Sequence, residues 1–87
     1  MKNFLKSLMK ILSPGAASKL KGQYDQAISD CNKAIEINPK YALAYINRGY
    51  AYIKLDQSNH ACDDFQKACE LGLCNGLDWA KQQGLCQ

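Results

Sequence analysis

The sequence predicts an all-α chain built from antiparallel helix–turn–helix repeats. Three observations carry that reading. Residues 23–37, QYDQAISDCNKAIEI, return as residues 57–71, QSNHACDDFQKACEL, at an offset of 34. A fixed period of that length marks a repeat architecture. Six pairs are identical in that register: Gln23/Gln57, Ala27/Ala61, Asp30/Asp64, Lys33/Lys67, Ala34/Ala68 and Glu36/Glu70. Inside each copy the apolar residues recur at steps of three and four, the period of one helix face. No segment sustains the two-residue alternation of a half-buried strand.

Each element follows from its own residues. Phe4, Leu5, Leu8, Met9 and Leu12 fall on one stripe, with Lys2, Lys6 and Lys10 opposite. That predicts a basic amphipathic helix near residues 3–12, suited to a membrane surface, a partner, or the end face of the repeat stack. Ser13 as N-cap and Pro14 in the first helical position then start a new, short helix near residues 14–21. A proline inside one continuous helix would cost about 3 kcal/mol. Tyr24, Ala27, Ile28, Cys31, Ala34 and Ile35 form the face of the next helix, which Asn38–Pro39 ends. Ala42, Tyr45, Ile46, Gly49, Tyr52 and Ile53 form the face after that. The small residues Ala27, Gly49 and Ala61 let neighbouring axes approach to about 8–10 Å. The chain thus divides into a basic N-terminal helix (1–13), an incomplete unit (14–39), a complete unit (40–74) and a closing helix with its tail (75–87).

Composition narrows the function classes. With 87 residues the chain is one small domain. Apolar residues at 47% and charged residues at 22% are globular values. The net charge of +3 does not mark a nucleic-acid binder, and none is expected. Its distribution is uneven. Residues 1–22 hold Lys2, Lys6, Lys10, Lys19 and Lys21 and no acid, so they carry +5, and the remaining 65 residues carry −2. No apolar run approaches the ~20 residues of a membrane span. Lys6 and Lys10 interrupt the stretch that a signal peptide would need. The five cysteines, at 31, 62, 69, 74 and 86, are odd in number and form no C-x-x-C. Together these features predict a cytoplasmic protein with reduced thiols.

No catalytic constellation assembles. His60 stands alone on an exposed helix face, without the nucleophile and orienting group of a triad. Asp63 and Asp64 are consecutive, about 100° apart on a helix, and read as a solvated face. Cys62 and Cys69 share a helix face and read as small core hydrophobes, as does Cys31. The spacing of Cys69, Cys74 and Cys86 does not fit the four paired ligands of structural zinc. A Cys74–Cys86 disulfide pinning the closing helix is the alternative for an oxidising compartment. The expectation is a non-enzyme with no metal and no cofactor.

Ala42 to Asn75 reads as one whole 34-residue unit. Tyr45 takes its large aromatic position, Gly49 the small one and Tyr52 the second aromatic, with Ala61, Phe65 and Ala68 on the second helix. Gly22-Gln-Tyr24-Asp-Gln-Ala27-Ile28, running on to Asn38–Pro39, reads as the second helix of a preceding unit, and Trp79 repeats Tyr45. Over residues 22–84 this pattern resembles the tetratricopeptide repeat. The sequence departs from it at Asp56, where a glycine is usual, at Ser58 for an aromatic, and at Leu73 for a proline. The resemblance implies a short right-handed α-solenoid that acts as a protein–protein interaction module. It implies a concave groove lined by Leu43, Ile46, Asn47, Tyr50, Ile53 and Lys54, taking a peptide or helix of a partner protein. In the alternative, the same stripe packs on a neighbouring helix. Asn47 matches one residue of a carboxylate clamp found in some relatives. Leu12 and Ala16 stand where its other members would be, so the clamp is not expected. Two further readings are a dimer formed through the N-terminal helix and a membrane-peripheral adaptor.

Overall fold

A computed structural model describes residues 14–86, with side chains from residue 20 onward. The helix expected near residues 3–12, with its stripe of Phe4, Leu5, Leu8, Met9 and Leu12, lies outside the described residues. Four helices follow in order: α1 (Pro14–Ile37), α2 (Ala42–Lys54), α3 (Ser58–Glu70) and α4 (Asn75–Gln82). Among the described residues there is no strand. Each helix packs on the next in the chain: α1 on α2, α2 on α3, α3 on α4. The architecture is the all-α helical repeat that the periodicity predicts.

The first helix corrects one expectation. Residues 14–37 form a single helix of 24 residues, not a short helix followed by a second one. Pro14 does open it, in the position where its missing N–H costs nothing. Gly22 does not end it, since a lone glycine weakens a helix interior by only about 1 kcal/mol. Lys19, Leu20, Lys21 and Gln23 around it are good helix formers. A side chain at Gly22 would meet nothing within 4 Å, so no close neighbour forces a turn there. At 1.5 Å per residue α1 runs about 36 Å, against about 20 Å for α2.

The helix ends are closed by backbone bonds. After α1, the Asn38 side chain accepts from the Lys40 N–H at 3.1 Å, and the Tyr41 N–H donates to the Asn38 carbonyl at 3.0 Å. The Tyr45 hydroxyl then donates to the Pro39 carbonyl at 3.0 Å, fixing the start of α2 beside the end of α1. The other three helices end alike. Gln57 N–H reaches Tyr52, Leu73 N–H reaches Ala68, and Leu85 N–H reaches Ala80, each at 2.8–2.9 Å, with a shorter-range bond inside each loop. This is the Schellman closure, which places the residue after the C-cap at positive φ. Gly72 and Gly84 supply it twice, and Asp56, at φ 60°, supplies it after α2. The closure also explains Leu73: its N–H is used, so a proline would lose that bond.

The core sits between α2, α3 and α4. Phe65 is fully buried and lies against two backbones. A Cβ added to Gly49 or to Gly76 would come within 2.6 Å of its ring. Ala61, Ala68 and Ala80 are also fully buried, so α3 and α4 meet through small residues. Tyr50 and Trp79 stand edge-on to the Phe65 ring and to each other, with centroids 5.2 to 6.4 Å apart.

A polar joint ties three helices. The Arg48 Nε donates to Asp64 Oδ2 at 2.9 Å and its Nη2 to Oδ1 at 2.6 Å, a bidentate pair between α2 and α3. Its Nη1 donates to Asn32 Oδ1 on α1 at 2.8 Å. The guanidinium also lies over the Tyr45 ring, 5.5 Å from its centroid. Asp64 is therefore buried, 5% exposed, and the solvated face expected for Asp63–Asp64 is corrected to Asp63 alone. An aspartate this deep in the interior is tolerable only when both oxygens are paired.

Two stability changes follow. Arg48→Ala strands Asp64 and is expected to cost about 3 kcal/mol in chemical denaturation, while Arg48→Met with Asp64→Leu recovers most of the loss. Asp56→Gly relieves a left-handed residue and is expected to raise stability by up to about 1 kcal/mol by the same measurement.

Candidate functional site

The six predicted groove residues do not share one fate. Leu43 is 48% exposed and Tyr50 40%, and Asn47 and Lys54 are exposed as well. These four recur at steps of four, three and four, so they form a single line along α2. Ile46 is 8% exposed and belongs to the core, and Ile53 packs half-buried against it. The expectation for Ile46 is thereby corrected. Its cause is α4, since a Cβ on Gly76 would lie 2.7 Å from Ile46 Cδ1. The closing helix fills the side of α2 that a longer groove would leave open.

The line that remains is open surface, with no enclosed pocket among the described residues. Two large apolar side chains alternate along it with an amide and an ammonium group. Tyr50 is buttressed on its inner edge by Phe65 and Trp79, so its orientation is set before any ligand arrives. A preset aromatic with polar neighbours gives contact area and direction at low entropic cost. Asn47 offers both a donor and an acceptor, and Lys54 a charge for a carboxylate.

Other candidates take simple places. His60 is exposed, with its ring 5.1 Å from Tyr52. Among the described residues, no three metal-binding side chains gather, and no helix is long and apolar enough to cross a membrane. The membrane-surface expectation rests on residues 1–13, which lie outside the described residues. Burial pushes the Cys31 thiol up from its ordinary value, which leaves it protonated and a poor nucleophile near neutral pH. The Arg48 guanidinium is pushed up, first by its hydrogen bond to Asp64. Its raised folded value means the stability it adds is complete below the ordinary arginine range and is lost only at higher pH.

The cysteines depart from expectation. Cys62 and Cys69, read as unpaired core residues, are each in a disulfide: Cys62 with Cys86 and Cys69 with Cys74. The Cys74–Cys86 alternative is corrected too. Cys74 precedes α4 and Cys86 follows it, so the helix itself holds them apart. Because α4 runs back along α3, each meets the cysteine at its own end of α3. Cys31 remains a free thiol. Sequence reasoning also missed Arg48 and its partners. The signal was present: Asp64 repeats Asp30 on the apolar side of its helix, with a lone arginine one unit-helix away.

A family model described as TPR repeat matches residues 15–56, and one described as tetratricopeptide repeat matches residues 42–71. RNA polymerase II-associated protein 3 of Xenopus tropicalis is 43% identical over 53 residues, 61% of this chain and 8% of that protein. The mitochondrial import receptor subunit TOM70 of Homo sapiens is 37% identical over 49 residues, 56% of this chain and 8% of the receptor. The protein SGT1 homolog of Oryza sativa subsp. japonica is 41% identical over 51 residues, 59% of this chain and 13% of that protein. The match thus spans about a tenth of the length of these curated relatives. No solved structure matches the chain.

Alanine substitution separates core from surface on α2. Ile46→Ala is expected to cost 2 kcal/mol or more in thermal or chemical denaturation, roughly the range for buried isoleucine. Leu43→Ala is expected to stay within about 0.5 kcal/mol of the parent.

Proposed function

We propose that this chain, which belongs to the tetratricopeptide repeat family, binds a short segment of a partner protein along α2. It is a protein–protein interaction module, and its ligand is an extended or helical peptide. The contact line is Leu43, Asn47, Tyr50 and Lys54. The observation that carries this reading is the exposure of Leu43 and Tyr50 on a helix whose other apolar residues are covered. Exposed apolar residues scattered singly need no explanation, but two on one line with a polar anchor between them and another beyond fit a recognition stripe. Ile46 and Ile53 support the line from below rather than touch the ligand. Lys54 favours a ligand with a carboxylate at that end.

Self-association is the second reading, favoured by α1. Tyr24, Ala27, Ile28 and Cys31 on its apolar face are only half-buried, and Leu20 is exposed. That face leaves room for an apolar helix, and residues 1–13 of a second copy carry a stripe of the right kind. Light scattering over a wide concentration range tests it, and a monomer throughout removes it.

The peptide reading is tested by selecting ligands from a random peptide library on the oxidised full chain. Selected peptides are expected to perturb the amide signals of residues 43–54 in nuclear magnetic resonance spectra. Tyr50→Ala is expected to weaken them about tenfold or more, the range of an interface aromatic, with the fold intact by circular dichroism. Selected peptides that map to other helices would overturn the assignment.

A further inference from the structure

The two disulfides tie the ends of α4 to α3. We propose that α4 is a redox-held closure: oxidation clamps it onto α3, and reduction by a dithiol releases it and opens the surface beneath. The chemistry balances bond by bond. A dithiol attacks the protein disulfide, its own two sulfurs become bonded, and its two electrons and two protons leave a pair of cysteine thiols.

Four observations carry the inference. First, α4 has only eight residues, well under the roughly 12–15 at which an isolated helix becomes even marginally stable in water. Its persistence therefore depends on what holds it. Second, the ties lie at both of its ends. Cys74 is its N-cap and bonds to Cys69 in the last turn of α3, while Cys86 lies four residues beyond its end and bonds to Cys62 in the first half of α3. The Cα atoms of Cys62 and Cys86 are 5.7 Å apart, inside the ordinary disulfide range, and those of Cys69 and Cys74 are 3.9 Å apart, below it. Third, among the described residues no side-chain nitrogen or oxygen links α4 to the rest of the fold. The ion pair and the side-chain hydrogen bonds of those groups all lie within residues 26–64. Only apolar contact adds to the two covalent ties. Fourth, what α4 covers is adhesive when bare. Gly76 sits on the Phe65 ring and Ile46, Ala80 is fully buried, and Trp79 stands against Tyr50 and Phe65.

Cys62, Cys69 and Cys74 are half-buried and Cys86 is buried. Release of α4 takes reduction of the Cys62–Cys86 bond. An oxidising compartment keeps the closure, and a reducing cytoplasm opens it. Release also removes the Trp79 edge that buttresses Tyr50. That consequence for binding rests on the reading of α2 as the ligand stripe, while the closure itself does not.

Trp79 is the sole tryptophan and reports the closure directly. The test records its fluorescence, the far-ultraviolet circular dichroism and the amide exchange of the full chain, oxidised and then reduced with dithiothreitol. Thiol titration runs in parallel. Oxidised chain is expected to show one titratable thiol, Cys31, and reduced chain five. On reduction, Trp79 emission is expected to move to longer wavelength and amides 75–86 to lose their protection, while α2 and α3 keep theirs. Cys62→Ser with Cys86→Ser is expected to reproduce the open state without reductant. Cys69→Ser with Cys74→Ser stays closed and shows that serine itself does not unfold α4. The proposal is overturned if fully reduced chain keeps the oxidised spectrum and protection. It is equally overturned if all helices melt together, or if five thiols titrate before reduction. None of these outcomes bears on where selected peptides bind to the oxidised chain, so the two readings fail separately.

Discussion

The Phe65 ring is the constraint on which the rest of the arrangement depends. It fills the space where α2, α3 and α4 converge, and it fits only because two of its neighbours have no side chain. Gly49 lets α2, and Gly76 lets α4, approach the same Cδ1–Cε1 edge of the ring. Each is therefore a shape requirement rather than a turn. From that packing the roles of nearby residues follow. Ile46 is driven inward by the closeness of Gly76, and Tyr50 is left at the rim, edge-on to Phe65 and Trp79. The division of α2 into a covered side and an exposed line is set by what rests on Phe65.

A second, polar joint does for α1 what Phe65 does for α4. The apolar face of α1 is only half-buried, so burial alone holds it weakly. Arg48 adds direction. Its guanidinium is gripped by Asp64 and reaches Asn32, which fixes the register of three helices at one point. Among the described residues no buried side-chain nitrogen or oxygen lacks a partner, so the joint leaves nothing stranded. The two joints are made by adjacent residues of α2, Arg48 and Gly49, and together they fix that helix against its neighbours. A rigid helix is a sound base for a recognition line, because little order is lost when a ligand arrives.

Much of this was legible in the residues. The offset of 34, the placement of Gly49, Phe65 and Ala68, and the stop at Asn38–Pro39 give the helices and their order. Asp56 stood out as a departure, and its positive φ shows why glycine is usual there. Other features escaped because they depend on which surfaces meet. Periodicity places Ile46 and Tyr50 one turn apart, but only the position of α4 makes one core and the other rim. Asp64 reads as half of an exposed acidic pair until Arg48 is known to face it across two helices. The cysteine pairing needs the direction of α4 along α3, which spacing alone does not state. The short helix expected near residues 14–21 instead runs on through Gly22, since one glycine among good helix formers does not break a helix.

The exposed line on α2 is a product of the closing helix. The most direct measurement is the set of nuclear Overhauser contacts from the Phe65 ring protons in the oxidised full chain. Contacts to the Hα protons of both Gly49 and Gly76, with Trp79 near, are the predicted result. Contacts to Gly49 without Gly76 and Trp79 would contradict it. The closing helix would then not seat on the core, and Ile46 would return to the surface beside Tyr50.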